Sequence, residues 1–201
     1  MKRFASILSI VFSPLLVPTY GVLLFFFTKR FEIVPFLPKL IVGIIVFVCT
    51  GLLPGVILYF FMKSGKVSSV NLDKKEERTV PYLFTLVLYL FCAFYLWKVN
   101  MPYWFVMMIV GAAVANALLM LINLKWKMSA HLTALGGVFA GIFVVSIHYI
   151  INPVGIIVLT LFISAAVAAS RLVLSVHTPM QTLAGFINGF LLVLLFGLLF
   201  A

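Results

Sequence analysis

Apolar residues run almost without interruption along this chain, and short polar segments divide them into long stretches. A helix needs roughly 20 mainly apolar residues to cross a membrane. Seven stretches meet or approach this length: residues 5–28, 38–62, 82–98, 102–123, 132–150, 153–174 and 179–200. The pattern predicts an all-α, polytopic bundle of six or seven transmembrane helices, forming a single integral-membrane domain over residues 1–201.

Two of these stretches are irregular. The first begins with basic residues and an apolar run, as signal peptides do, but Pro14 and Pro18 interrupt it and no small-x-small cleavage pattern follows. We therefore interpret it as a retained first helix. The third stretch, 82–98, is short for a full crossing.

Composition supports a lipid environment. Hydrophobic residues make up 65% of the chain and charged residues 9%, whereas soluble domains carry about a quarter charged residues. The net charge of +10 suggests contact with anionic lipid, and we expect no nucleic-acid partner because the charges are not gathered on a soluble face. Cys49 and Cys92 lie inside apolar stretches and are interpreted as small buried residues.

Acidic residues are absent from the apolar stretches. The chain has only four, and all lie in polar segments: Glu32, Asp73, Glu76 and Glu77. This distribution argues against transferases that hold magnesium with clustered carboxylates and against carriers that use an intramembrane acid. We therefore expect chemistry based on His, Arg, Lys and Ser, with no metal and no cofactor.

Three polar breaks, 63–81, 123–131 and 170–181, are separated from one another by two spans each, so they share one side of the membrane. Arginine binds phosphate oxygens with two parallel hydrogen bonds, and histidine can attack phosphorus or protonate a leaving oxygen. The alternative is that these groups are solvated charges and structural histidines. The reactive residues of the breaks are Lys74, Lys75, Arg78, Lys125, Lys127, Ser129, His131, Ser170, Arg171, His177, Thr178 and Gln181.

Local patterns add detail near the two histidines. Thr178 and Gln181 have the spacing of a capping box, and Ser129 is placed to cap a helix that begins at about His131. Gly136, Gly137 and Gly141 follow as a stripe of small residues. This stripe predicts either close helix packing or room for a lipid tail.

The sequence SRLVLSVHTPMQ, residues 170–181, resembles the third signature of the type 2 phosphatidic acid phosphatase superfamily. That signature is Ser-Arg, five residues, His, three residues, Asp. Ser170, Arg171 and His177 match it, and Gln181 stands at the position of the Asp. A glutamine carbonyl can accept the second ring proton of the histidine but cannot supply negative charge.

The other two signatures are less regular. The segment MSAH, 128–131, resembles the second signature, Pro-Ser-Gly-His, at Ser129 and His131. The segment KKEERTVP, 74–81, resembles a degenerate first signature, Lys, six residues, Arg-Pro, in which Arg78 matches the Arg. The resemblance covers residues 40–200 approximately, with the signatures in the family's order.

The resemblance implies a helical enzyme that needs no metal and works through a phosphohistidine. It implies that His177 is the nucleophile, that His131 is the general acid for the leaving group, and that Gln181 orients His177. The residues that it implies for binding phosphate oxygens are Arg78, Arg171, Lys75, Lys74, Ser129 and Ser170.

The expected function is hydrolysis of a phosphomonoester or diphosphate of a membrane lipid. The alternative is a non-catalytic lipid-phosphate binder or carrier that retains the fold, which Gln181 and the degenerate first signature favour. Phosphatidic acid, phosphatidylglycerophosphate and polyprenyl diphosphate all fit as substrates. The sequence leaves the oligomeric state open.

Basic residues also predict an orientation. Most of the 14 Lys and Arg residues fall on the side of the three breaks, and cytoplasmic loops are rich in Lys and Arg. We therefore expect a multi-pass protein of the bacterial inner membrane with its active face toward the cytoplasm.

Overall fold

The computed structural model describes residues 1–26, 31–69, 72, 74–150 and 152–199, apart from the side chain of Lys75. These ranges are predominantly helical and contain no strand. The α-helices are α1 (Lys2–Val11), α2 (Val17–Phe26), α3 (Phe36–Phe47), α4 (Leu53–Lys63), α5 (Thr79–Lys98), α6 (Tyr103–Asn123), α7 (Ala130–Tyr149), α8 (Val154–Val173) and α9 (Pro179–Leu199). A π-helical segment, Val48–Leu52, joins α3 to α4, and a short 3-10 helix, Lys75–Glu77, precedes α5.

Six helices of the described chain are long and apolar enough to cross a membrane. One is the continuous helix Phe36–Lys63, which combines α3, the π-helical segment and α4, and the others are α5 to α9. The prediction of a polytopic helical bundle is confirmed. The third predicted stretch is longer than expected, because α5 begins at Thr79 and reaches 20 residues.

The predicted first span, 5–28, is not one continuous helix. It contains α1 and α2, of 10 residues each, separated by residues 12–16; its last two residues lie outside the described ranges. Pro14 causes the break, because proline lacks an N–H and its ring clashes with the preceding turn. The carbonyl of Ser13 instead accepts hydrogen bonds from the N–H groups of Leu16 and Val17, at 2.9 and 3.1 Å. A ten-residue helix is about 15 Å long, half of the hydrocarbon core.

Helices α7 and α9 are in close backbone contact. A methyl group at Gly189 would overlap the carbonyl oxygen of Thr133, and one at Gly136 would overlap the carbonyl oxygen of Phe186. Small residues allow helices in a membrane to approach closely. The packing interpretation of the glycine stripe is thus confirmed at Gly136, and α9 holds the beginning of α7 in a fixed position.

Large apolar side chains cover the outside of the bundle. On α5, Val87, Phe91 and Phe94 are each more than half exposed, and on α8 Phe162 is 73% exposed. Such a surface is unfavourable in water and favourable in lipid. It supports contact with the bilayer, as the composition predicts.

The contact between α7 and α9 generates the first prediction. Gly189→Ala should destabilise the folded protein by about 1–3 kcal/mol, because the added methyl group forces the two backbones apart. The measurement is the thermal unfolding midpoint in detergent. Gly155→Ala is the control, because a side chain at Gly155 meets no atom within 4 Å. Equal midpoints for the two variants would contradict the prediction.

Candidate functional site

The three polar breaks meet at one end of the bundle, as the number of intervening spans predicts. The guanidinium Nη1 of Arg78 donates a hydrogen bond to the carbonyl oxygen of Met128 at 3.1 Å. The N–H of Ser129 donates to the carbonyl oxygen of Gln181 at 3.2 Å. These two bonds join the first break to the second and the second to the third.

Arg78 is buried, with 2% of its surface exposed, at the beginning of α5. Its Nε donates to the carbonyl of Leu72 at 2.7 Å, and its Nη1 donates to Oδ1 of Asn123 at 3.1 Å as well as to Met128. The amide of Asn123 is itself held, because its Nδ2 donates to the carbonyl of Leu119. All of these acceptors are neutral, so they position the guanidinium group without cancelling its charge.

Arg171 lies in the last turn of α8 and is 1% exposed. Its neighbour Ser170 donates from Oγ to the carbonyl of Val167 at 2.7 Å and lies 3.2 Å from Oγ of Ser9. Ser170 therefore connects α8 to α1. The structure does not place Ser170 among the residues that line the cavity described below.

The ring of His177 has a defined proton arrangement. Its Nδ1 lies 3.2 Å from Oε1 of Gln181, and that oxygen also accepts the N–H of Thr178 at 3.1 Å. The N–H of Thr178 can only donate, so the Gln181 atom is the carbonyl oxygen and Nδ1 of His177 carries the hydrogen. The other ring nitrogen, Nε2, is left with its lone pair. The N–H of Gln181 lies 3.4 Å from Oγ1 of Thr178, so the predicted capping box is present.

Burial, followed by the nearby charges of Arg78 and Arg171, lowers the pKa of His177 to about 4, although the hydrogen bond to Gln181 opposes them. Desolvation and neighbouring positive charge both disfavour the protonated ring. His177 is therefore neutral at pH 7, with an unprotonated Nε2.

His131 stands at the beginning of α7 and is held by α1. Its Nε2 lies 3.0 Å from the backbone carbonyl oxygen of Ser9. A carbonyl only accepts hydrogen bonds, so Nε2 carries a hydrogen and Nδ1 is the nitrogen that can exchange a proton. Ser129 is the N-cap of α7, as predicted, and its Oγ accepts the N–H of Leu132 at 3.5 Å.

Four of the predicted residues surround one cavity of about 50 Å³. We call it the basic cavity and define it by Arg78, His131, Arg171 and His177. None of the described residues that line it is acidic. Buried positive charges require compensation by negative charge. The first turn of α7 contributes Ala130 to the lining, and the free N–H groups of a helix N-terminus favour an anion. The basic cavity is therefore suited to an anion with several oxygens.

One of the two predicted lysines, Lys74, does not line the cavity. Lys74 is 66% exposed and its Nζ lies 3.5 Å from Oε1 of Glu77. The carboxylate of Glu77 also accepts a hydrogen bond from the backbone N–H of Ser68 at 2.7 Å, and this bond lowers the pKa of Glu77. The side chain of Lys75 lies outside the described part of the structure. Lys74 is thus a surface residue of the first break.

Sequence analysis missed the contribution of the N-terminal segment. Ser9 contacts both His131 and Ser170, and Ser13 and Leu15, from the break between α1 and α2, line the basic cavity. The sequence signal was weak, because these residues precede the region of family resemblance. Asn123 was also missed, although an amide at the end of an apolar helix is a plausible partner for a buried arginine.

Comparisons of the chain with known proteins find no match: no family model, no curated protein and no solved structure is significantly similar to it. The resemblance to the phosphatase superfamily therefore rests on the residues of the three signatures. Within the part of the chain that the structure describes, no three His, Cys, Asp or Glu side chains are grouped as metal ligands.

The neutral state of His177 generates the second prediction. Between its ordinary pKa of 6.5 and its folded value of about 4, the unfolded chain binds a proton that the folded chain does not. The free energy of unfolding is therefore unaffected by this group above pH 6.5 and decreases as the pH falls toward 4, by about 3 kcal/mol. The thermal unfolding midpoint in detergent should fall over this window.

Two variants isolate the contribution of His177. His177→Asn keeps a donor for Gln181 and removes the titration, so its midpoint should fall less than that of the unmodified protein. Gln181→Glu should also reduce the fall, because a carboxylate stabilises the protonated ring. The same pH dependence in all three proteins would contradict the prediction.

Proposed function

We propose that the protein is a metal-independent phosphatase that hydrolyses a phosphomonoester or diphosphate of a membrane lipid through a phosphohistidine. The observation that carries this proposal is the basic cavity, in which two buried arginines and two histidines, each with one ring nitrogen held by a carbonyl, surround a space without an acidic neighbour among the described residues. This is the arrangement that transfer of a phosphoryl group to a histidine requires.

The first step is attack on phosphorus. The lone pair of His177 Nε2 forms the N–P bond, and the bond between phosphorus and the lipid oxygen breaks. The Nδ1–H of the attacking ring remains donated to Gln181, which stabilises the positive charge that develops on the ring only as a dipole. Nδ1 of His131, when protonated, gives its proton to the departing oxygen, so that the lipid leaves as an alcohol or, from a diphosphate, as a monophosphate.

The second step releases phosphate. A water molecule attacks the phosphohistidine, the N–P bond breaks, and Nδ1 of His131 accepts a proton from the water. His177 returns to the neutral state and inorganic phosphate departs. His131 therefore exchanges protons through Nδ1 in both steps, while its Nε2–H stays with Ser9.

The arginines stabilise charge in both steps. The phosphoryl oxygens carry negative charge throughout the transfer, and preorganised donors in a site that excludes water are most effective in stabilising it. Arg78 is held by neutral acceptors from three segments, so its full charge is available. In this mechanism Arg78 and Arg171 hold the phosphoryl oxygens, while Ser129 acts through the cap of α7.

A lipid-phosphate binder is the second candidate, and the neutral Gln181 favours it. Without a carboxylate, His177 is a weaker base and its phosphorylated form is less stabilised. The two candidates differ in one measurement, the release of inorganic phosphate from a panel of lipid phosphates and diphosphates by the purified protein. Release supports the phosphatase, and binding without release supports the binder.

The proposed mechanism predicts different defects for the two histidines. His177→Ala should abolish phosphate release and phosphoenzyme formation, because the nucleophile is lost. His131→Ala should slow the reaction of lipid substrates by about 10²–10⁴-fold, the usual contribution of a general acid. It should slow formation of the phosphoenzyme from p-nitrophenyl phosphate much less, because that leaving group needs no proton, whereas the second step needs His131 with either substrate.

The third histidine of the chain provides the control. His148 stacks on the ring of Trp104, with centroids 5.0 Å apart, near the opposite end of α7. His148→Ala should retain the rates of the unmodified protein on both substrates. Activity of a well-folded His177→Ala variant would exclude His177 as the nucleophile.

We also propose that the basic cavity faces the cytoplasm, because the excess of Lys and Arg lies at the loops of that end. A single cysteine at Ser64, an exposed residue just after α4, tests this orientation. The variant should resist a membrane-impermeant maleimide in intact cells and react after lysis. The chain without this substitution is the control, because Cys49 and Cys92 are buried. Labelling in intact cells would reverse the orientation.

A further inference from the structure

A second, apolar cavity of about 130 Å³ lies inside the bundle. It is partly open and is lined by residues of α2, α5, α6, α7 and α9 and of the break between α1 and α2, and on α7 its lining extends from Ala130 to Gly141. The eleven residue steps between these two positions correspond to about 16 Å along the helix. This apolar cavity therefore reaches from the site end of the bundle to roughly half of the hydrocarbon thickness.

The apolar cavity borders the basic cavity. Five residues line both of them: Pro14, Leu15, Tyr82, Thr85 and Ala130. They come from the break between α1 and α2 and from the first turns of α5 and α7. A molecule with its phosphate between Arg78 and Arg171 can therefore extend an attached chain past these residues.

Small residues make the space. Ala112 on α6 and Gly137 and Gly141 on α7 line the apolar cavity, so the helices leave a void where larger side chains would fill it. The void is long and narrow: its volume is near that of a cavity of about 150 Å³ that binds one benzene molecule, drawn out over about 16 Å. A single hydrocarbon chain fits this shape, and two parallel chains do not.

We propose that the apolar cavity receives one hydrocarbon chain of the lipid phosphate, so that the protein selects its substrate by the length of that chain. This inference rests on the proposed function for the identity of the headgroup. Lipid and cavity are both apolar, so transfer of the chain provides little net driving force. The chain contributes selectivity through its fit, and a chain longer than the cavity is disfavoured.

A competing location for the chain is an outer groove between the break that follows α1 and the helix Phe36–Lys63. Ser13 and Leu15 line this groove as well as the basic cavity, and Gly51 and Gly55 form part of its other wall. The groove is wide, with a volume of about 590 Å³. It would accept chains of any length. A dependence of binding on chain length therefore distinguishes the apolar cavity from the groove.

The experiment measures binding of monoalkyl phosphonates of increasing chain length, which carry the phosphate-like headgroup and cannot be hydrolysed. Ala112→Phe should weaken binding of the long-chain probes roughly tenfold or more and leave the shortest probe unchanged. Ala165→Phe is the matched control, because Ala165 is exposed on α8 and lines neither cavity. Gly55→Leu fills the outer groove and should not change the length profile, that is, the dependence of probe binding on chain length.

A measurement on the unmodified protein makes the test independent of variant folding. A phosphonate with a diazirine at the end of its chain should label α6 or α9 near Phe105 and Val193, which line the deep part of the apolar cavity. Labelling of α4, or a length profile that changes with Gly55→Leu and not with Ala112→Phe, would overturn the inference.

Hydrolysis assays separate this inference from the proposed function. If no lipid phosphate is hydrolysed but probe binding depends on chain length and on Ala112, the phosphatase proposal fails and the chain-binding inference stands. If lipid phosphates are hydrolysed with the same chain-length profile in the unmodified protein and Ala112→Phe, the inference fails and the phosphatase proposal stands.

Discussion

The buried guanidinium group of Arg78 is the constraint on which the site end of the bundle depends. A charge inside a membrane protein is costly unless it is hydrogen-bonded, and Arg78 obtains its partners from three different parts of the chain. The carbonyl of Leu72, the amide of Asn123 and the carbonyl of Met128 each accept one of its hydrogen bonds. These contacts fold the first break against the end of α6 and the second break, which would otherwise be separate loops. Because the acceptors are neutral, the same contacts leave a positive charge that a phosphate group can neutralise.

Close packing of α7 and α9 has a corresponding effect on the histidines. A methyl group at Gly185 would lie 2.5 Å from the carbonyl oxygen of Ser129, so the two helices begin side by side. His177 just before α9 and His131 at the start of α7 therefore face one cavity. Each ring is oriented by a different nitrogen, Nδ1 in His177 and Nε2 in His131, and so each offers the opposite nitrogen for chemistry. In both neutral rings the free nitrogen carries a lone pair. In the proposed roles, Nε2 of His177 uses it to attack phosphorus, and Nδ1 of His131 uses it to take up the proton that it gives to the leaving group.

The sequence predicts the six spans after the first stretch well because hydrophobic length is a property of consecutive residues. It also predicts the caps at Ser129 and Thr178, since a cap is decided within four residues. It does not predict that Ser9 holds His131, because the two residues are 122 positions apart and a serine in an apolar run carries no signal of its partner. Lys74 was assigned to the site from its place in the degenerate first signature, and the structure instead pairs it with Glu77 three residues later. Contacts between distant segments and competition among neighbouring charges are the parts that composition and spacing leave undetermined.

The positive charges around His177 also explain how the proposed site can work with a neutral glutamine at position 181. Burial and two arginines keep His177 neutral, with a pKa of about 4, so its ring nitrogen Nε2 is unprotonated at physiological pH without help from a carboxylate. A carboxylate at this position would raise the basicity of His177 and would also offset part of the positive charge in the basic cavity. A neutral amide keeps the ring oriented through its carbonyl oxygen and leaves the charge of both arginines for the phosphate. In the proposed reaction, Gln181 therefore leaves His177 less basic than a carboxylate would, but it leaves more positive charge in the cavity to attract the anion. This balance is most favourable for a headgroup with high negative charge, such as a diphosphate.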